Sequence, residues 1–192
     1  MRFLKILSAL LIVFSLSSCA SLTEMREVED AVLVCALAFD RSGELIKMSV
    51  EIAFKSDETT VFTAAGEKAE DCIKEIEKNI PEKLIFSHCG AVVLGQSLTH
   101  KTSKTILDYL FIKEDFPLNS YVVSADNAQN ILNCEMPSKE PIGYCLSQLL
   151  SEKSEDTDSR IFSLYKKEEK LLPCFTSEGK ALKREEHKWK IN

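Results

Sequence analysis

The sequence predicts an α/β (α+β) fold, a mixed sheet with helices packed on it. Three observations carry that expectation. Some apolar runs alternate with polar residues at a period of two, others recur at helical spacing, and the two kinds intermingle along one chain. No internal repeat is visible.

Ala31 to Phe39 is apolar and β-prone and leads into Asp40-Arg41-Ser42-Gly43, a turn signal. From Leu45 to Phe54, Ile46, Met48, Val50 and Ile52 share one face while Lys47, Ser49 and Glu51 share the other, so the pair reads as a β-hairpin. Ser56 to Thr60 is polar and expected to be exposed. Between Gly66 and Ile80, Ala69, Cys72, Ile73 and Ile76 recur at helical spacing, and Asn79-Ile80-Pro81 stops the helix because the position before proline disfavours αR. Leu84-Ile85-Phe86 and Ala91 to Leu94 suit a buried strand or a strand interrupted near His88. A helix over 99–111 follows, with Ile106, Leu107, Leu110 and Phe111 inward, then a strand over 119–125. A short helix over 126–133 is expected to be capped by Asp126, and another helix covers 141–150. Residues 151–159 read as an acidic linker, 161–165 and 171–175 as strands, and 180–192 as a basic tail bearing Trp189.

The amino terminus reads as an export signal. Arg2 and Lys5 precede an apolar run, Ile6 to Leu16, of about 11 residues, where a membrane-spanning helix needs roughly 20. Leu16-Ser17-Ser18-Cys19 then has the form of a bacterial lipobox, in which the Cys19 thiol takes the diacylglycerol. Two or three acyl chains hold a protein firmly at about 0.8 kcal/mol per buried methylene. The expected organisation is therefore a signal peptide over 1–18, a membrane-proximal spacer over 19–30, one domain over 31–150, the linker, and a partial second domain or tail over 160–192.

Removing residues 1–18 leaves 174 of the 192 residues and takes away two positive charges, moving the net charge from −6 to −8. Such a chain has no electrostatic footprint for nucleic acid, and its anchor rather than its charge is expected to hold it at the bilayer. Cysteines 35, 72, 89, 134, 145 and 174 show no CxxC spacing; they are expected to be mostly reduced and buried, with Cys134–Cys145 the best candidate bridge. Adjacent His88 and Cys89 point to opposite faces of a strand and make a poor nucleophile–base pair, so His88 reads as a structural residue of a turn. Cys134, Cys145, Cys174 and His187 have no zinc-module spacing. There is neither a phosphate-cradling glycine pattern nor GxSxG. The expectation is a non-enzymatic protein with no metal and no cofactor.

Several strings together resemble one family. The lipidated cysteine, the strand ending at Asp40, the alternating strand, Gly66-Glu67 opening a helix and Leu84-Ile85-Phe86-Ser87-His88 stand in the order of the Ger(x)C family. These are the lipoprotein C subunits of nutrient-germinant receptors in spore-forming bacteria. Ala91 to Leu98, Ile106 to Leu110, Leu118 to Val123, Asn127 to Leu132 and Pro141 to Leu150 continue the similarity, which covers about residues 19–150. Family members are longer and carry a leucine or basic residue where this chain has Cys89. The resemblance implies an α/β first domain, no known catalytic or metal site, and partnership with an integral-membrane A-type subunit and a permease-like B-type subunit. It places the chain on the outer face of the cell or spore inner membrane. The rival expectations are a lipid-anchored solute-binding protein, for which 174 residues are few, and a surface thiol enzyme using Cys89.

Overall fold

The computed structural model describes residues 31–54, 59–153, 158–166 and 170–191. The signal peptide, Cys19 and the spacer lie outside the described residues. The strands are β1 (Ala31–Ser42), β2 (Leu45–Ala53), β3 (Thr59–Gly66), β4 (Lys83–Ile85), β5 (Ala91–Gly95), β6 (Tyr121–Ala125), β7 (Lys170–Glu178) and β8 (Ala181–Ile191). The helices are α1 (Ala69–Glu77), α2 (His100–Ile112), α3 (Ala128–Leu132), α4 (Ile142–Ser151) and α5 (Ile161–Lys166). All eight strands join one mixed sheet in the order β3-β2-β1-β5-β6-β7-β8, with β4 beside the first residues of β1. β1 is parallel to β4 and β5, β5 to β6, and β6 to β7; β2, β3 and β8 run antiparallel to their neighbours.

The hairpin predicted for 31–54 forms as expected. Ser42 pairs with Leu45, so the turn is the two residues Gly43 and Glu44, and Gly43 adopts φ 61, which glycine accepts without steric cost. Strand β1 is an almost unbroken apolar run because both its faces are covered. Leu37 and Phe39 join a core with Met48, Val50, Ile52, Ile73 and Ile76 from β2 and α1, together with Ile106, Leu110 and Leu164 from α2 and α5. Ala36 and Ala38 face the other way, with Ala91, Val93 and Val123, toward Ile131 and Leu132 of α3 and Ile142, Leu146 and Leu150 of α4. The alanines bring the two helices close to the sheet. Between the β4 and β5 pairings the ladder of β1 shifts at Cys35, whose carbonyl accepts from Gly90 N at 2.9 Å. This is the interruption expected near His88.

Residues 59–66 form an edge strand for which the sequence reading assigned no element, and Thr59 and Thr60 are exposed as expected. Three expectations are corrected. Residues 161–166 form a helix, not a strand. A five-residue apolar run fits either period, and here Ile161 and Leu164, three apart, are the buried pair. The stretch 181–191 is a paired strand rather than a loose tail: it folds back on β7 through Gly179 at φ 62. Trp189 packs against the core and stacks on His100 at 6.1 Å. Residues 170–191 thus complete the sheet of the first domain. Finally, α3 is capped by Asn127, whose side chain accepts from Asn130 N at 3.0 Å, in place of Asp126.

The approach of α4 to the sheet leaves no room at its first turn. A Cβ on Gly143 would stand 1.8 Å from the Cys35 carbonyl oxygen, and one on Gly90 would stand 2.5 Å from the Gly143 oxygen. Gly143→Ala is therefore expected to destabilise the protein by about 2 kcal/mol or more in denaturant unfolding, although alanine is the better helix former.

Candidate functional site

Two carboxylates lie inside the sheet's α3/α4 face. Asp40, at the carboxyl end of β1, is 8% exposed; Glu51, on β2, is 1% exposed. Asp40 accepts from Ala128 N and Gln129 N, both at 3.0 Å, and so binds the first turn of α3. Glu51 accepts from Ile142 N at 2.7 Å and Gly143 N at 2.9 Å, the first turn of α4. Free backbone N–H groups and the positive end of the helix dipole form an anion site at any helix start. Here both starts are filled by the protein's own carboxylates. Gly95 makes the Asp40 contact feasible, since a Cβ there would stand 2.0 Å from Asp40 Oδ1. The sequence analysis missed both roles: it put Asp40 in a turn and Glu51 on the polar face of its strand. The separation of Glu51 from the charges on the solvent faces of helices needs the position of α4, which the strand's own pattern does not contain.

Burial pushes the Glu51 carboxyl above its ordinary value of 4.5, and the two backbone N–H donors offset that only partly. Its charge also adds to burial in raising the Cys35 thiol to about 12. Burial alone accounts for most of the rise of Cys72, to about 11, and of Cys89, whose Sγ donates to the Ala91 carbonyl. Thiols held so high stay protonated at neutral pH and make poor nucleophiles.

All six described cysteines are buried and free. The expected Cys134–Cys145 bridge is absent because the two thiols face different carbonyls: Cys134 Sγ donates to Asn130 O within the end of α3, and Cys145 Sγ to Glu140 O. No group of three or more His, Cys, Asp or Glu side chains able to hold a metal ion converges among the described residues, so Cys134, Cys145, Cys174 and His187 are not gathered. His88 is exposed on the turn between β4 and β5. That turn is closed by backbone and hydroxyl contacts: Cys89 N donates to Phe86 O at 2.8 Å, and Ser120 Oγ donates to Cys89 O at 2.6 Å.

An open cleft of about 290 Å³ lies beside that turn, at the amino ends of β5 and β6. Its walls are the 87–90 turn, the 117–121 segment, the last turns of α4 and Arg160. The Arg160 Nη2 donates to the Tyr121 hydroxyl at 2.7 Å, and its guanidinium carbon lies 4.9 Å from the centre of the same ring. Among the described residues, no helix is long and apolar enough to cross a membrane.

A family model described as the spore germination protein N-terminal domain matches residues 24–169. No curated protein and no solved structure matches the chain.

Two outcomes follow from these geometries. Glu51 holds its proton more tightly when folded than when unfolded, so its contribution to stability is complete below about pH 4.5 and is lost as pH rises through the folded-state value. The unfolding free energy of wild type minus that of Glu51→Gln should therefore be larger at pH 5 than at pH 8, while Glu51→Ala, which strands two N–H groups, should cost about 1–3 kcal/mol for each. The thiols from Cys35 to Cys174 should resist alkylation at pH 7.5 in the native chain and react after unfolding; a fast native reaction at Cys89 would revive the thiol-enzyme reading.

Proposed function

This chain belongs to the family of the spore germination protein N-terminal domain, and we propose that it is a lipid-anchored subunit of a spore germinant receptor. On this reading the first 18 residues are removed, Cys19 carries the lipid, and residues 19–30 space the domain from the outer face of the spore inner membrane. The domain then works by contact with integral-membrane A-type and permease-like B-type subunits, without chemistry of its own. The observation that carries the proposal is the family match over residues 24–169.

The surface is suited to such contacts. Ile112, at the end of α2, is 75% exposed, and Phe162 and Tyr165 of α5 are also exposed. The Tyr165 ring stacks on Phe111 at 3.8 Å and its hydroxyl donates to Asp108 at 2.9 Å, which fixes α5 against α2. An aromatic ring already held in place loses little conformational entropy on docking. The solute-binding alternative gains nothing here, since the described residues form one sheet rather than two lobes.

Cys19→Ala tests the anchor and the partnership together. It should shift the protein from the membrane fraction of spores to the soluble fraction, or leave it unprocessed, and should abolish co-purification of a permease-like subunit. Wild-type protein recovered alone from spore membranes would contradict the receptor reading.

A further inference from the structure

The charge pattern of the cleft at the amino ends of β5 and β6 differs from that of the whole molecule. The chain carries 30 acidic side chains against 24 basic ones, yet no carboxylate lines this cleft among the described residues. Its ionisable side chains are Arg160, the exposed imidazole of His88, and the buried Cys89 and Tyr121. Arg160 is only partly exposed, and its Nε–H is sealed from solvent with no acceptor. Among the described residues its side chain donates to the Tyr121 hydroxyl, which is neutral and cannot balance the charge. Partly desolvated guanidinium groups are ordinarily met by a carboxylate or a phosphate. Among the described residues no carboxylate meets this guanidinium, while the neighbouring walls supply neutral polar groups from Asn119, Ser147, Gln148 and Ser151.

We propose that this cleft is an oxyanion-binding site in which the Arg160 guanidinium receives a phosphate group. Arginine suits that role because its planar fork offers paired donors to a phosphate, and the tyrosine beneath it holds the fork in one orientation. A volume of about 290 Å³ admits inorganic phosphate or the headgroup of a phospholipid but no large ligand. Inorganic phosphate and a phospholipid headgroup offer the same oxyanion to this arginine. The site stands on its own contacts and does not depend on the receptor reading.

Isothermal titration of the purified full chain tests the site, with inorganic phosphate in one arm and glycerophosphoglycerol, the soluble headgroup of phosphatidylglycerol, in the other. Saturable binding is expected in at least one arm, and tighter binding of one probe assigns the source as free anion or lipid. Arg160→Gln should weaken it on the order of tenfold or more. Gln148→Glu should do the same: it adds a carboxylate at an exposed position of α4 in the cleft wall and disturbs no packed group, so it remains informative if the arginine variant fails to fold. Absence of saturable heat in both arms, or affinity unchanged by both substitutions, overturns the proposal.

Discussion

Two internal salt-like contacts, each a buried carboxylate facing a helix start, hold the second layer of this protein in place. Asp40 and Glu51 come from neighbouring strands of one hairpin and reach the first turns of α3 and α4. Without them four backbone N–H groups would be buried without partners, each at about 1–3 kcal/mol. The alanines of β1 and β5, together with Gly95 and Gly143, are then required residues, because only small side chains let those helix ends come within hydrogen-bond distance of the sheet. The cost is the burial of the Glu51 carboxyl, which raises its proton affinity, and its charge adds to burial in raising the Cys35 thiol.

The same contacts narrow where function can reside. In sheets with parallel strands, ligands commonly bind at the carboxyl ends of strands, where helix starts present free N–H groups. Here Asp40 already occupies that position next to Gly95 and α3. Among the surfaces open to solvent are the opposite end of the sheet and the outer faces of α2 and α5. The family's role in spore germination is thus carried by a fold in which the starts of α3 and α4 are internally neutralised.

The elements with one clear period were legible in the sequence: the β1–β2 hairpin, α1 through Ala69, Cys72, Ile73 and Ile76, and α2 through Ile106, Leu107 and Leu110. Elements whose periodicity is shared or weak were not. In α5 the pattern Ile-Phe-Ser-Leu-Tyr satisfies both strand and helix, and only the pairing partners separate them. Strand β8 carries seven ionisable side chains between Lys183 and Lys190, which give it the composition of a solvated tail. Those charges are also how an edge strand discourages further strand pairing, so composition and structure agree once the edge position is known. Glu51 shows the deeper limit. Alternation assigned it correctly to the face opposite Met48 and Val50, but whether that face meets water or α4 depends on residues about ninety positions away.

The two ends of the parallel strands therefore differ in a way that composition conceals. At the carboxyl end of β1, the backbone donors that open α3 meet the Asp40 carboxylate from within the chain. At the amino end, a guanidinium rests on Tyr121 with no acidic partner among the described residues, although acidic residues outnumber basic ones over the whole chain. Among the described residues this arginine is partnered by a neutral hydroxyl, and the proposed phosphate would supply the charge that the hydroxyl cannot.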